Sequence, residues 1–91
     1  MTRYKVESEE LFNLCLKQLN SPKNRKKEKF ENMRLIDILE KLREEIFELK
    51  HELAYEIEAI NTRRVKEELG DCVAMLVGVL CYTNKIMKEK S

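Results

Sequence analysis

"LREEIFELKHELAYEIEAINTRRVKEELGDCVAML", residues 42 to 76, decides the fold. Leu42, Ile46, Leu49 and Leu53 continue an apolar rhythm begun at Leu35 and Leu39. Alternating spacings of four and three keep such residues on one stripe of a helix, so a long helix is predicted over about residues 32 to 58. The rhythm fades at "EIEAINT", where Asn61 and Thr62 are good helix caps and a turn lets the chain fold back. Val65, Leu69, Cys72, Leu76 and Val79 then repeat the pattern, predicting a helix over about 62 to 88. Lys85, Lys88 and Lys90 suit the negative end of its dipole. An antiparallel helix pair follows from this stretch alone.

Upstream, Ser8 followed by Glu9 and Glu10 reads as a helix start, and Leu11, Leu14, Cys15 and Leu19 keep the helical period, giving a first helix over about 8 to 20. "NSPKN" ends it, because Pro22 lacks a backbone donor and Ser21 and Asn24 favour turns. Residues 21 to 31 then form a linker holding the basic run "KNRKKEK", read first as a solvated connection and second as a phosphate-contacting loop.

The expected architecture is therefore all-α: a single domain over residues 1 to 91, a small helical bundle around the antiparallel pair. A chain of this size often leans on a partner. From Cys72 to Tyr82 every residue is apolar or glycine, so the third helix is hydrophobic all round and three helices cannot cover it. A homo-oligomer, dimer or tetramer, is expected to complete the bundle. Gly70 and Gly78 each cost a helix interior about 1 kcal/mol relative to alanine, tolerable where backbones approach closely.

Charged residues make up 38% of the chain, yet the net charge of +1 is too balanced for a protein that wraps nucleic acid. Cys15, Cys72 and Cys81 are odd in number, lack CxxC spacing and sit in apolar stretches, as in a reduced cytoplasmic protein. The apolar run ending at Tyr82 falls short of the roughly 18 residues a membrane span requires. Residues 1 to 10 are too acidic and polar for a signal peptide. A cytoplasmic location, away from membranes, is the expectation.

Two acidic pairs interrupt the apolar rhythm: Glu45 with Glu48, and Glu68 with Asp71. At about 100° per residue, Glu45 and Glu48 fall about 80° and 140° from the centre of the leucine seam, and Glu68 and Asp71 take similar angles on the same-handed flank. Folding the helices together at a turn near residue 60 aims all four carboxylates one way, offset by about one turn at 1.5 Å per residue. Converging carboxylates repel unless protonated or bridged by cations. Oxygen ligands without histidine or cysteine favour hard ions, and Mg²⁺ takes one or two carboxylates and fills its shell with water and phosphate. The alternative is an ordinary charged face, common in a chain so rich in glutamate.

"EEIFE", residues 44 to 48, followed after nineteen residues by "ELGD", residues 68 to 71, resembles the EExxE…ExxD signature of the MazG-like, all-α nucleoside triphosphate pyrophosphohydrolases. The resemblance spans residues 35 to 82. It implies an oligomeric helical bundle and hydrolysis of a (deoxy)nucleoside triphosphate between the α and β phosphates, with Mg²⁺, or Mn²⁺ in its place. Carried over, Glu45, Glu48, Glu68 and Asp71 are the metal ligands, and Glu45 or Glu48 orients and deprotonates the attacking water. Glu44 matches the first signature glutamate but points further from the seam. Phosphate and base contacts of the larger members have no convincing match here.

Lys41 and Lys85 share the acidic flank as speculative substrate-binding residues, although an intrahelical pair with Asp37 or Glu45 suits Lys41 better. Phe30 and Tyr82 could stack a base, with core packing the stronger reading. His51 lies off the seam, as a surface residue. Beside the hydrolase stands a non-catalytic reading, a helical oligomer acting as an interaction or nucleotide-binding regulatory module.

Overall fold

The computed structural model describes residues 3 to 22 and 29 to 90. Three α-helices run through them, α1 (Lys5–Leu19), α2 (Leu35–Leu53) and α3 (Thr62–Lys90), with 3₁₀ turns at Phe30–Asn32 and Ile57–Ala59. No strand occurs among the described residues. The fold is all-α.

Helix boundaries depart from the expected ones in instructive ways. Helix α1 begins at Lys5, before Ser8, whose N–H donates to the Tyr4 carbonyl at 2.9 Å. Tyr4 turns the chain in with a left-handed φ of 63°. Its end is as read: Ser21 Oγ donates to the Gln18 carbonyl at 2.9 Å, and Pro22 follows. Helix α2 is shorter than expected at both ends. Phe30–Asn32 is a separate 3₁₀ turn, and the last turn of α2 tightens where the Ala54 N–H donates to the His51 carbonyl at 3.2 Å. No glycine or proline marks that stop. Asn61 caps α3 as its chemistry suggests, its Oδ1 accepting from the Arg64 N–H at 3.2 Å. The basic run falls on residues 23 to 29, of which 23 to 28 lie outside the described residues.

Helix α3 is the spine. Both α1 and α2 pack along it, and the 3₁₀ turn at Phe30–Asn32 leans on its second half. Lys66 Nζ donates to Glu10 Oε2 of α1 at 2.6 Å, and Arg64 Nε lies 3.3 Å from Glu52 Oε1 of α2. The two glycines mark close approach. A methyl added at Gly70 would stand 2.7 Å from the Leu14 carbonyl oxygen, and one at Gly78 would stand 2.8 Å from the Phe30 ring. Glycine is needed there for room, which outweighs its helix penalty of about 1 kcal/mol.

Among the described residues the buried apolar side chains are Cys15, Ile38, Cys72 and Ala74, and Ile38 is fully enclosed. On α2 the stripe against α3 runs Ile38, Leu42, Glu45, Leu49, Glu52, in the same four-three spacing as the leucine seam but rotated from it. Leu39, Ile46 and Leu53, every second member of that seam, are exposed, Ile46 by 51%. Leu76 and Leu80 of α3 are exposed as well. By length and composition α3 could cross a membrane, with a mean hydropathy of 1.3 over its best 18 residues, because such a window tolerates the charges that flank the apolar run.

Candidate metal and catalytic site

The rotation of α2 changes where the acids sit. Glu45 is part of the inner stripe, half-buried against α3, rather than on its flank, and Glu48 stands exposed one turn further on. From α3, Glu68 reaches the same place. Glu45, Glu48 and Glu68 each offer a carboxylate oxygen, and the three oxygens lie within 4.8 Å of one another. Asp71, one turn beyond Glu68, is near enough for its charge to raise the proton affinity of both Glu45 and Glu68. Glu45, Glu48 and Glu68 thus come together although Glu45 is not on the expected flank, and Asp71 lies outside that group of three.

The electrostatics are those of crowded acids. Burial, a hydrogen bond with Glu48 and the charges of Glu48, Asp71 and Glu45 push Glu68 up to about 7. Glu45 is raised too, first by burial and then by Asp71 and Glu48. Glu45 Oε2 and Glu68 Oε2 are enclosed and have no hydrogen-bond partner. An enclosed carboxylate oxygen without a partner costs on the order of 1–3 kcal/mol or more, a cost that a shared proton or a bound cation would relieve. Cys72 lies beside the acids, and burial followed by their charges lifts its thiol to about 11. It stays a neutral thiol, and the donor set is oxygen only.

Such a set fits a hard divalent ion. Mg²⁺ and Mn²⁺ are ions of that class, which take oxygen ligands and leave coordination positions for water and phosphate. Zinc would select nitrogen or thiolate ligands.

Other residues weighed from sequence lie elsewhere. Lys41 Nζ is 3.7 Å from Glu44, an intrahelical pair that also engages the first signature glutamate. Asp37 instead takes two hydrogen bonds from Arg34, at 3.0 and 3.2 Å, which hold its carboxyl below the usual range. Lys85 lines a separate cavity with Phe30 and Tyr82. His51 is exposed, its Nε2 3.4 Å from the Tyr55 hydroxyl. The inward place of Glu45 is what sequence reading missed; Ile38, omitted from the seam, was the available signal.

Set against known proteins, the chain matches no family model, no curated sequence and no solved structure. The functional reading therefore rests on the site.

Proposed function

We propose that this chain is a small, Mg²⁺-dependent nucleotide pyrophosphohydrolase, similar to the MazG-like enzymes, that cleaves a (deoxy)nucleoside triphosphate between its α and β phosphates. One observation carries the reading: enclosed, partnerless oxygens of Glu45 and Glu68 sit together with Glu48 in the pattern of the EExxE…ExxD signature. The antiparallel pairing of α2 and α3 is supported by the Arg64–Glu52 pair and by Glu68 meeting Glu45.

Glu45, Glu48, Glu68 and Asp71 would hold the metal. Bound there, Mg²⁺ (or Mn²⁺) supplies neutralisation of phosphate charge and a lowered pKa for water. The chain's own work is then divided by exposure. Glu48, the open member, accepts the proton of the attacking water on a carboxylate oxygen. Glu45 and Glu68, enclosed between the helices, fix the spacing of the negative oxygens, and Cys72 and the apolar residues around them limit access of bulk water.

The oligomer belongs to the same proposal. A compact globule of 10.9 kDa exposes about 5,600 Å², whereas this chain exposes 7675 Å². Its radius of gyration is 14.9 Å, against about 12 Å for a compact chain of 91 residues. An excess of roughly 2,000 Å² is what one subunit buries in a large, obligate interface. Leu39, Ile46 and Leu53 on α2 and Leu76 and Leu80 on α3 supply the surface, and we read its cover as a second copy, in a dimer or tetramer, rather than lipid. Glu68 and Asp71 within α3, engaged with α2, favour that cover.

The same exposed surface also favours the second reading, a non-catalytic oligomeric interaction or nucleotide-binding module, since it needs a partner whatever the acids do. Pyrophosphate release from a panel of nucleoside triphosphates separates the two. The enzyme turns over at least one triphosphate with Mg²⁺, stops in EDTA and is inactivated by Glu48→Gln. Absence of turnover on every triphosphate leaves the module.

A further inference from the structure

Away from the acids, the Phe30–Asn32 turn and the second half of α3 enclose a cavity of about 360 Å³. From Asp71 to Cys81 and Lys85 is ten and fourteen residues, about 15 and 21 Å along the helix. It is a different place with a different chemistry. Phe30 and Tyr82 contribute half-buried rings to its lining, and Lys85 and Lys88 contribute ammonium groups. The position of the Phe30 ring is fixed by its seat on bare backbone at Gly78, where any side chain would collide with it. The Met33 N–H donates to the Phe30 carbonyl at 3.1 Å and closes the turn that presents the ring.

Lys85 and Lys88 are in no ion pair among the described residues, so their ammonium groups are open to an anion in the cavity. The helix dipole accounts for cations in the last turns of α3. It does not account for their lining a cavity beside two aromatic rings. Spaced by three, they lie on one side of the helix and can close on a single anionic group. Asn84 adds an amide that both donates and accepts, and Glu31, from the 3₁₀ turn, adds an acceptor.

We propose that this cavity is a binding site for a nucleoside monophosphate, separate from the carboxylate site and independent of divalent metal. The base packs on the aromatic lining of Phe30 and Tyr82 with its edge read by Asn84. Sugar hydroxyls donate to Glu31, and Lys85 with Lys88 hold the phosphate. The volume lies in the range of small-molecule sites, about 300–1,000 Å³. At about 100° per residue, Cys81, Lys85 and Lys88 point about 130° away from the stripe of Leu76 and Leu80, and Asn84 about 60° away, so a second copy docked on that stripe leaves the lysine side of the cavity open. The site does not rest on the hydrolase reading.

The test is a titration of the full chain in EDTA, followed by amide NMR, with adenosine and cytidine 5′-monophosphates, adenosine and inorganic phosphate as probes. A monophosphate is expected to bind saturably and shift the amides of Phe30, Tyr82 and Lys85 while leaving those of Glu45 and Glu68 in place. Adenosine and phosphate alone should bind about tenfold or more weaker, and Lys85→Glu or Lys88→Glu, both on exposed positions that the fold does not use, should each weaken the monophosphate about tenfold or more. Shifts confined to the acid cluster, affinity unchanged by both lysine variants, or no shift with millimolar monophosphate each overturn the site. Loss of triphosphate hydrolysis would leave these readouts untouched, so the two proposals fail separately.

Discussion

Replacing Glu68 with glutamine should make the metal-free protein more stable, and only above the pH at which the acid ionises. Glu68 titrates near 4.5 in an unfolded chain and at about 7 in the fold. Below about pH 4.5 both states carry the proton, and the site costs nothing. Between 4.5 and 7 the unfolded chain ionises first, so stability falls; above 7 the loss is constant. A tenfold change in proton affinity is about 1.4 kcal/mol, which bounds the loss at about 3 kcal/mol. Solvent screening at this half-open position reduces it to about 1–2 kcal/mol. Glutamine keeps the shape, cannot ionise and can donate to Glu45 and Glu48. At pH 8 in EDTA, Glu68→Gln should therefore raise the melting temperature by about 5–15 °C, scaled for a domain of this size. At pH 4 the advantage should vanish. Thermal melts at one fixed protein concentration test this, concentration being held because association contributes to stability. Added Mg²⁺ should then stabilise the parent more than the variant. A variant less stable than its parent at pH 8, or equally advantaged at pH 4, would show that the acids form a satisfied structural network and that the crowding argument is wrong.

Other perturbations have simpler outcomes. Gly70→Ala gains about 1 kcal/mol of helix propensity but drives a methyl to 2.7 Å from the Leu14 carbonyl, so a net loss of about 1–2 kcal/mol is expected by urea denaturation. Ile38→Ala empties the fully enclosed large side chain of the described residues and should cost about 2–4 kcal/mol in the same measurement. Ile46→Glu, on the exposed stripe, should lower the mass measured by sedimentation to that of a monomer at micromolar concentration; unchanged mass would move the subunit contact elsewhere.

Periodicity reveals that α2 and α3 are helices more readily than it reveals which way they face. Leu35, Ile36, Ile38, Leu39, Leu42, Ile46, Phe47, Leu49 and Leu53 make a band wide enough to hold two stripes. Leucine counting favours the stripe through Leu39 and Ile46, because the inner one is interrupted by Glu45 and Glu52. Only the packing of Ile38 against α3 decides the phase, and a tertiary contact has no local signature. Punctuation was plainer where chemistry is local, as at Pro22 and Asn61. It failed at Leu53, where the helix ends without any residue that forbids another turn. Three of the four acids, Glu45, Glu48 and Glu68, still come together, because rotating α2 carried Glu45 inward and left Glu48 beside it. The aromatic cavity was not readable at all: Phe30 and Gly78 are forty-eight residues apart, and neither announces the other.

Within one turn of α3, Gly70 rests on the backbone of α1 while Glu68 and Asp71 lean toward α2. The two interfaces share a rod too short to twist independently at each end. Bulk added to α1 at Gln18, whose Cγ would stand 2.9 Å from a methyl at Gly70, would press on that rod next to Asp71 and roll the acids out of line. Sequence drift on the α1 face around Gln18 is thereby tethered to the placing of Glu68 and Asp71 on the other side of α3.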